Sequence, residues 1–235
     1  MKSMARRYRA ILKTIIFSKA ERVFCVSMQR NGTTSVGKFL RDFGFRTAGW
    51  PEDERNDWSG SWYSGDYDTI FSSIDFKVSN AFEDSPWWLP DFYKILFNRF
   101  PQSKFILFTR DPDAWFRSMI KHSGGNVIGR SKIHCKIYRR ELEYLDLLNS
   151  GEIDETVENK IRSEKKMKIT MEHASHYKKV YRLHNTEVQD FFRRNAPENL
   201  HVGKLEDPHK WQKMGRFLGI HVPEIYECHE NQSQT

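Results

Sequence analysis

The stretch "SMQRNGTTS", Ser27 to Ser35, gathers side chains that suit an anion. Arg30 offers a planar fork of N–H donors, and Thr33, Thr34 and Ser35 offer hydroxyls. Asn31 and Gly32 complete the turn, and Gly32 lets the backbone approach a ligand closely. A short apolar run precedes this stretch. Behind it Val36, Phe39, Leu40 and Phe43 recur at helical spacing until Gly44 stops them. The loop therefore opens a helix, whose first N–H groups and dipole favour negative charge. The chemistry is anion binding, but the nucleoside-triphosphate pattern G-x-x-x-x-G-K-[ST] is not met, because Thr33 stands where its lysine belongs. A magnesium–ATP site is disfavoured. The plainer reading is a strand–turn–helix with ordinary capping hydroxyls.

A second candidate lies in "FILFTRDPDAWFRS", where Arg110 closes an apolar strand and Ser118 follows eight residues later. Asp111 is the expected N-cap of the next helix and Pro112 its first-turn residue. Arg110 and Ser118 can hold a phosphate from one side. The plainer alternatives are a salt bridge from Arg110 to Asp111 or Asp113, core packing for Trp115 and a solvated helix position for Ser118. Anion sites on two strand–helix turns suit a ligand with phosphates at both ends of a nucleoside.

The elements that must position these residues follow from the rest of the chain. Its 235 residues can bury a full core, and one domain, 1–235, is the expectation. The net charge of +7 favours an anionic partner: a nucleotide, nucleic acid, a sulfated sugar or a membrane surface. Cys25, Cys135 and Cys228 show neither a zinc nor a disulfide spacing, which fits a reducing, cytoplasmic setting and no metal site. Residues 1–20 are basic with a short apolar run broken by Lys13 and Lys19. They read as an amphipathic helix and not as a transmembrane segment.

Strands are expected at Val23–Met28, Phe76–Phe82, Lys104–Arg110 and in "NLHVGKLED". Helices are expected at Thr33–Phe43, Trp88–Phe100, from Asp111, through 134–196 apart from a short break, and in "HKWQKMGRFLG" with Gly219 as its stop. Residues 46–68, rich in Trp, Gly, Ser and acids, read as an irregular loop over a site. Strands alternating with helices give an α/β class, a single P-loop-type domain with a central parallel sheet flanked by helices on both faces. Ligands of such sheets bind at the carboxyl ends of the strands.

With both motifs in order, the sequence resembles the nucleotide-dependent sulfotransferases over most of residues 23–231. "QRNGTTS" is similar to that family's 5′-phosphosulfate loop, and "FTRDPDAWFRS" to its 3′-phosphate motif. "DSPWWLPDFYKILFNRFPQSKFILFTRDPDAWFRS" resembles the microbial and algal members. "YRLHNTEVQDFF" and "WQKMGRFLGIHVPEIYECHEN" look like that group's closing segments. The resemblance implies 3′-phosphoadenosine 5′-phosphosulfate as donor, 3′-phosphoadenosine 5′-phosphate as product and no metal requirement. It also implies an acceptor, a small molecule or a carbohydrate, and no nucleic acid. Arg30 stands where many members carry lysine, and a planar fork is not a point charge.

Sulfuryl transfer needs a base for the acceptor's proton. Cytosolic members have a histidine before "LP"; the equivalent place here is Asp84, as in the microbial group. Asp84 can instead cap the helix after Pro86. Glu83 is adjacent, and strand alternation points it to the other face. Glu83, Trp87 and His122 are further candidates to line the acceptor side, although His122 also suits a helix surface. His184 reads as structural. The tryptophans of Trp50–Trp62 can stack on a flat acceptor or bury themselves. The competing functions are a small-molecule or nucleoside kinase on the same kind of fold and a non-catalytic nucleotide- or polyanion-binding module.

Overall fold

The computed structural model describes residues 22–153 and 167–228. The helix expected in residues 1–20, and the part of the 134–196 helical segment that falls in 154–166, lie outside the described residues. The described chain forms two compact units, 22–109 with 189–228 and 110–153 with 167–188.

The first unit is built on a five-stranded sheet with order β2–β3–β1–β4–β5. Its strands are β1 (Val23–Cys25), β2 (Thr47–Ala48), β3 (Ala81–Phe82), β4 (Lys104–Thr109) and β5 (Leu200–Lys204). Every pairing is parallel, with Phe24 in register with Phe82 on one side and Phe105 on the other. The class is α/β, as the alternation of strands and helices predicts.

Strand periodicity divides the apolar residues between two faces. Val23, Cys25, Ile106 and Phe108 pack with Val36, Phe39 and Leu40 of the Thr33–Asp42 helix and with Trp211 and Met214 of the Lys210–Leu218 helix. On the other face Phe24 stacks on Phe82 at 4.9 Å and on Phe105 at 5.6 Å, and Phe105 meets Phe192 at 4.6 Å. Trp87 joins this aromatic layer, 4.6 Å from Phe82 and 5.2 Å from Trp58. Arg22 caps it, its guanidinium 4.3 Å from the Phe76 ring while donating to the Phe76 and Ser79 carbonyls.

Three expectations are corrected. Residues 46–68 are not an irregular loop: they hold β2 and the helices Trp50–Asn56 and Trp58–Ser64, with Tyr67–Ser72 beginning at their end. Side chains of Asp57, Asp66 and Ser73 cap the short helices of this region, and Trp58 and Trp62 are buried beneath them. Phe76–Phe82 is not one strand. Its first part belongs to the Ile74–Val78 helix that Ser73 caps, and only Ala81–Phe82 pairs. The helix expected at Trp88–Phe100 is confined to Phe92–Arg99.

The second unit holds the helices Pro112–Ser123, Ser131–Tyr138 and Glu141–Asn149 and the larger part of Ala174–Asn195, within which the boundary falls. Cys135, Tyr144, Ile153 and Met167 form an apolar cluster there. The Tyr177 hydroxyl lies 2.7 Å from His134 Nε2 and accepts from Arg140 Nη1 at 2.6 Å. Burial, with Arg140 adding to it, pushes His134 down to about 3, so its ring is neutral at ordinary pH. Among the described residues no helix is long and apolar enough to cross a membrane.

Candidate active site

The anion loop begins where β1 ends. Ser27 Oγ accepts from the Phe108 amide of β4 at 2.7 Å, and the Val26 amide donates to the Ile106 carbonyl at 2.9 Å. The loop is thereby fastened to the neighbouring strand before it turns. Asn31 closes the turn on Met28, whose carbonyl accepts from Asn31 Nδ2 at 2.9 Å and from the Asn31 amide at 3.2 Å. Arg30 and Gly32, on either side of Asn31, have φ of 67° and 74°. A glycine relieves the strain of that region at position 32, where a Cβ would also sit 2.7 Å from Leu205 Cδ1. The Thr33–Asp42 helix then starts from Gly32 with no capping side chain and no acidic residue in its first turn. Thr33 and Ser35 are buried, and Thr34 is half-buried. This helix start is electrostatically suited to an anion.

Beside β1, strand β3 delivers Glu83 and Asp84. The Glu83 amide donates to the Ala48 carbonyl of β2 at 3.0 Å and ends the ladder. Asp84 has φ of 63°, and its Oδ1 accepts from the Ser85 amide at 2.9 Å. The Trp87 amide donates to the Asp84 carbonyl at 3.2 Å. Burial above all pushes the Asp84 carboxyl above the usual aspartate range, and the charge of Asp53 adds to this. The Ser85 amide, the Trp88 indole and Arg30 pull it back down. The indole N–H of Trp88 lies near Asp84 without the alignment of a full hydrogen bond. Arg30 from the β1 loop and Asp84 from the β3 turn thus act on one another across adjacent parallel strands.

Glu83 turns away from this edge, as strand alternation predicts. It is 5% exposed, and its Oε2 meets no hydrogen-bond donor. Its carboxyl fills the space left by two glycines: a Cβ on Gly37 would lie 2.6 Å from Glu83 Cγ, and one on Gly49 3.0 Å from Glu83 Cδ. Burial first, then the charge of Asp84, push Glu83 up to about 8.

In the second unit, Arg110 is anchored through its backbone. Its amide donates to Tyr181 Oη at 2.9 Å, and the Tyr181 hydroxyl donates back to the Arg110 carbonyl at 3.3 Å. Tyr181 stacks on the buried Trp115 ring at 4.4 Å, so Trp115 is core, and it supports the arginine indirectly. Asp111 caps the Pro112–Ser123 helix by accepting from the Ala114 amide at 2.8 Å, as its sequence position predicts. Asp113 pairs with Lys178 at 2.5 Å. Ser118 is half-buried in the middle of this helix.

A sequence profile described as "Sulfotransferase domain" matches residues 22–235. The chain belongs to the sulfotransferase family. A sulfotransferase of known structure, from Alicyclobacillus acidocaldarius, is 12% identical, with 92% of this chain and 87% of that one covered and a TM-score of 0.46. No curated protein sequence matches.

Within this sulfotransferase the remaining candidates sit as follows. Trp87 is fully buried in the aromatic layer of the first unit. His122 is exposed in the last turn of its helix. Of the tryptophans between Trp50 and Trp62, Trp58 and Trp62 are buried and Trp50 is exposed. Asp53, which the sequence reading passes over, lies in the Trp50–Asn56 helix and accepts from Ser85 Oγ at 2.6 Å. Nothing in its local spacing announces this link, because Ser85 is 32 residues away.

Proposed function

We propose that this sulfotransferase moves a sulfuryl group from 3′-phosphoadenosine 5′-phosphosulfate to a hydroxyl or amine of an acceptor, by in-line displacement with Asp84 as general base. The acceptor atom bonds to sulfur as the bond from sulfur to the 5′-phosphate oxygen breaks. The acceptor's proton passes to Asp84, and 3′-phosphoadenosine 5′-phosphate leaves. Arg30, Asn31 and the Gly32–Ser35 amides and hydroxyls hold the 5′-phosphosulfate end. Arg110 and Ser118 hold the 3′-phosphate. A sulfuryl group carries less charge than a γ-phosphoryl group, so amides, hydroxyls and one guanidinium can balance it without a metal ion. The setting is cytoplasmic, on the spacing of the three cysteines.

The observation that carries this reading is the placement of Arg30 and Asp84 just beyond the ends of neighbouring parallel strands. The charge of Arg30 bears on a buried carboxyl of raised proton affinity, at the edge where α/β sheets bind ligands. The test is transfer of radioactive sulfate from labelled donor to a panel of alcohols, phenols, amines and saccharides. Label in an acceptor, with one bisphosphate product per transfer, is the expected result. Label found only as inorganic sulfate across the panel would contradict it.

Arg110→Ala should weaken 3′-phosphoadenosine 5′-phosphate binding by about ten- to a hundred-fold, the usual contribution of a charge-assisted contact. Adenosine 5′-phosphate, which lacks the 3′-phosphate, should bind parent and variant alike in calorimetry. Equal losses for both nucleotides would remove Arg110 from the 3′-phosphate role.

A further inference from the structure

Behind Asp84 stands a second carboxylate that the transfer reaction does not touch. Asp53 is 7% exposed and accepts three hydrogen bonds: from the Ser59 amide at 2.7 Å, from Ser59 Oγ at 2.6 Å and from Ser85 Oγ at 2.6 Å. Ser85 is bound at both ends. Its hydroxyl goes to Asp53, while its amide goes to Asp84 Oδ1 at 2.9 Å. One residue therefore joins the two carboxylates, and the Trp50–Asn56 helix is fastened to the turn after β3 through it.

We propose that Asp53 is a positioning residue for Asp84: through Ser85 it fixes the turn that aims the Asp84 carboxyl, and it places a negative charge behind that carboxyl. The proposal rests on the reading of Asp84 as the base. A purely structural tie would need only a neutral acceptor for the two serines. A carboxylate does more, because a like charge nearby makes Asp84 hold a proton more strongly. Two charged groups act on the Asp84 carboxyl. Arg30 from the β1 loop favours the charged form of Asp84, and Asp53 from its helix opposes it. The charge of Asp84 in turn adds to the burial that pushes up Glu83, beside it in the chain, and the Cys25 thiol of β1. Burial pushes the Asp53 carboxyl itself above the usual aspartate range, the Asp57 charge adds to this, and the three hydrogen bonds from Ser59 and Ser85 pull it back only in part.

The experiment is a pH titration of protein carrying ¹³C at the aspartate carboxyl carbons, followed by nuclear magnetic resonance. The resonance missing from Asp84→Asn identifies Asp84, and the one missing from Asp53→Asn identifies Asp53. In Asp53→Asn the Asp84 midpoint should fall, with 3′-phosphoadenosine 5′-phosphate affinity unchanged. In Ser85→Ala, Asp53 loses one donor, and its own midpoint should rise. An Asp84 midpoint unmoved in folded Asp53→Asn overturns the proposal. So does an Asp53 midpoint unmoved in Ser85→Ala, and this second arm decides the matter if Asp53→Asn does not fold. Neither titration needs donor or acceptor, so failure to find sulfuryl transfer leaves both arms readable. Full transfer activity in Asp84→Asn would instead remove the role on which the proposal depends.

Discussion

Asp84→Asn should lose about 10²- to 10⁴-fold in sulfuryl transfer, the usual contribution of a general base. Its affinity for 3′-phosphoadenosine 5′-phosphate and its unfolding temperature should stay near the parent's. The substitution is nearly isosteric and keeps an oxygen to accept from the Ser85 amide, so the turn at φ of 63° retains its local tie. What it removes is the capacity to take a proton. The parent's pH profile gives a second check. A base must be ionised to act, so the rate falls as pH drops through its midpoint. Burial and Asp53 raise that midpoint above the ordinary aspartate value. The acid limb should therefore lie above the range of an ordinary aspartate, and it should disappear from the residual activity of the variant. Normal turnover in Asp84→Asn would move the base elsewhere. Loss of thermal stability together with activity would make the carboxyl a structural group of the turn.

Glu83→Gln should flatten the pH dependence of stability. In the unfolded chain a glutamate titrates near ~4.3; in the folded protein Glu83 is pushed up to about 8 by burial and by Asp84. Between those values the folded state holds a proton that the unfolded state has released. Stability therefore declines as pH rises through this window, by at most ~1.4 kcal/mol per pH unit, and levels off above it. Glutamine fills the same space between Gly37 and Gly49 without a titrating group. Urea unfolding at pH 5 and pH 8 should show the parent losing more stability than the variant, by several kcal/mol over the whole interval. Parallel losses in the two proteins would mean that Glu83 is ionised when folded.

The parts of the fold legible in the sequence are those set by local signals. The run Ile106–Phe108 is apolar on both faces because β4 is covered on both, and the strand lies within a residue of its expected bounds. Asp111 and Pro112 start their helix by a contact that spans three residues. The strand–turn–helix around Gly32 is legible for the same reason, since a strand, a turn glycine and an amphipathic helix follow one another directly. The segment 46–68 is not. Its helices are seven residues or fewer, too short to show a period. Burial of Trp58 and Trp62 holds them, and spacing cannot express that. Phe76–Phe82 misleads because the Ser73 cap draws its first half into a helix. At the site, strand period orients Glu83, and family resemblance singles out Asp84. The Asp53–Ser85 link joins distant parts of the chain, and only folding brings it together.

The most direct measurement is calorimetric titration of the whole chain with 3′-phosphoadenosine 5′-phosphate in the presence of a chelator, set beside ATP with magnesium. The structure's anion loop has Thr33 where a triphosphate loop needs lysine, and a helix start without acidic residues. The bisphosphate should therefore bind without metal and more tightly than magnesium–ATP. Tighter binding of magnesium–ATP, or bisphosphate binding that vanishes in chelator, would contradict a sulfuryl donor site and favour a kinase.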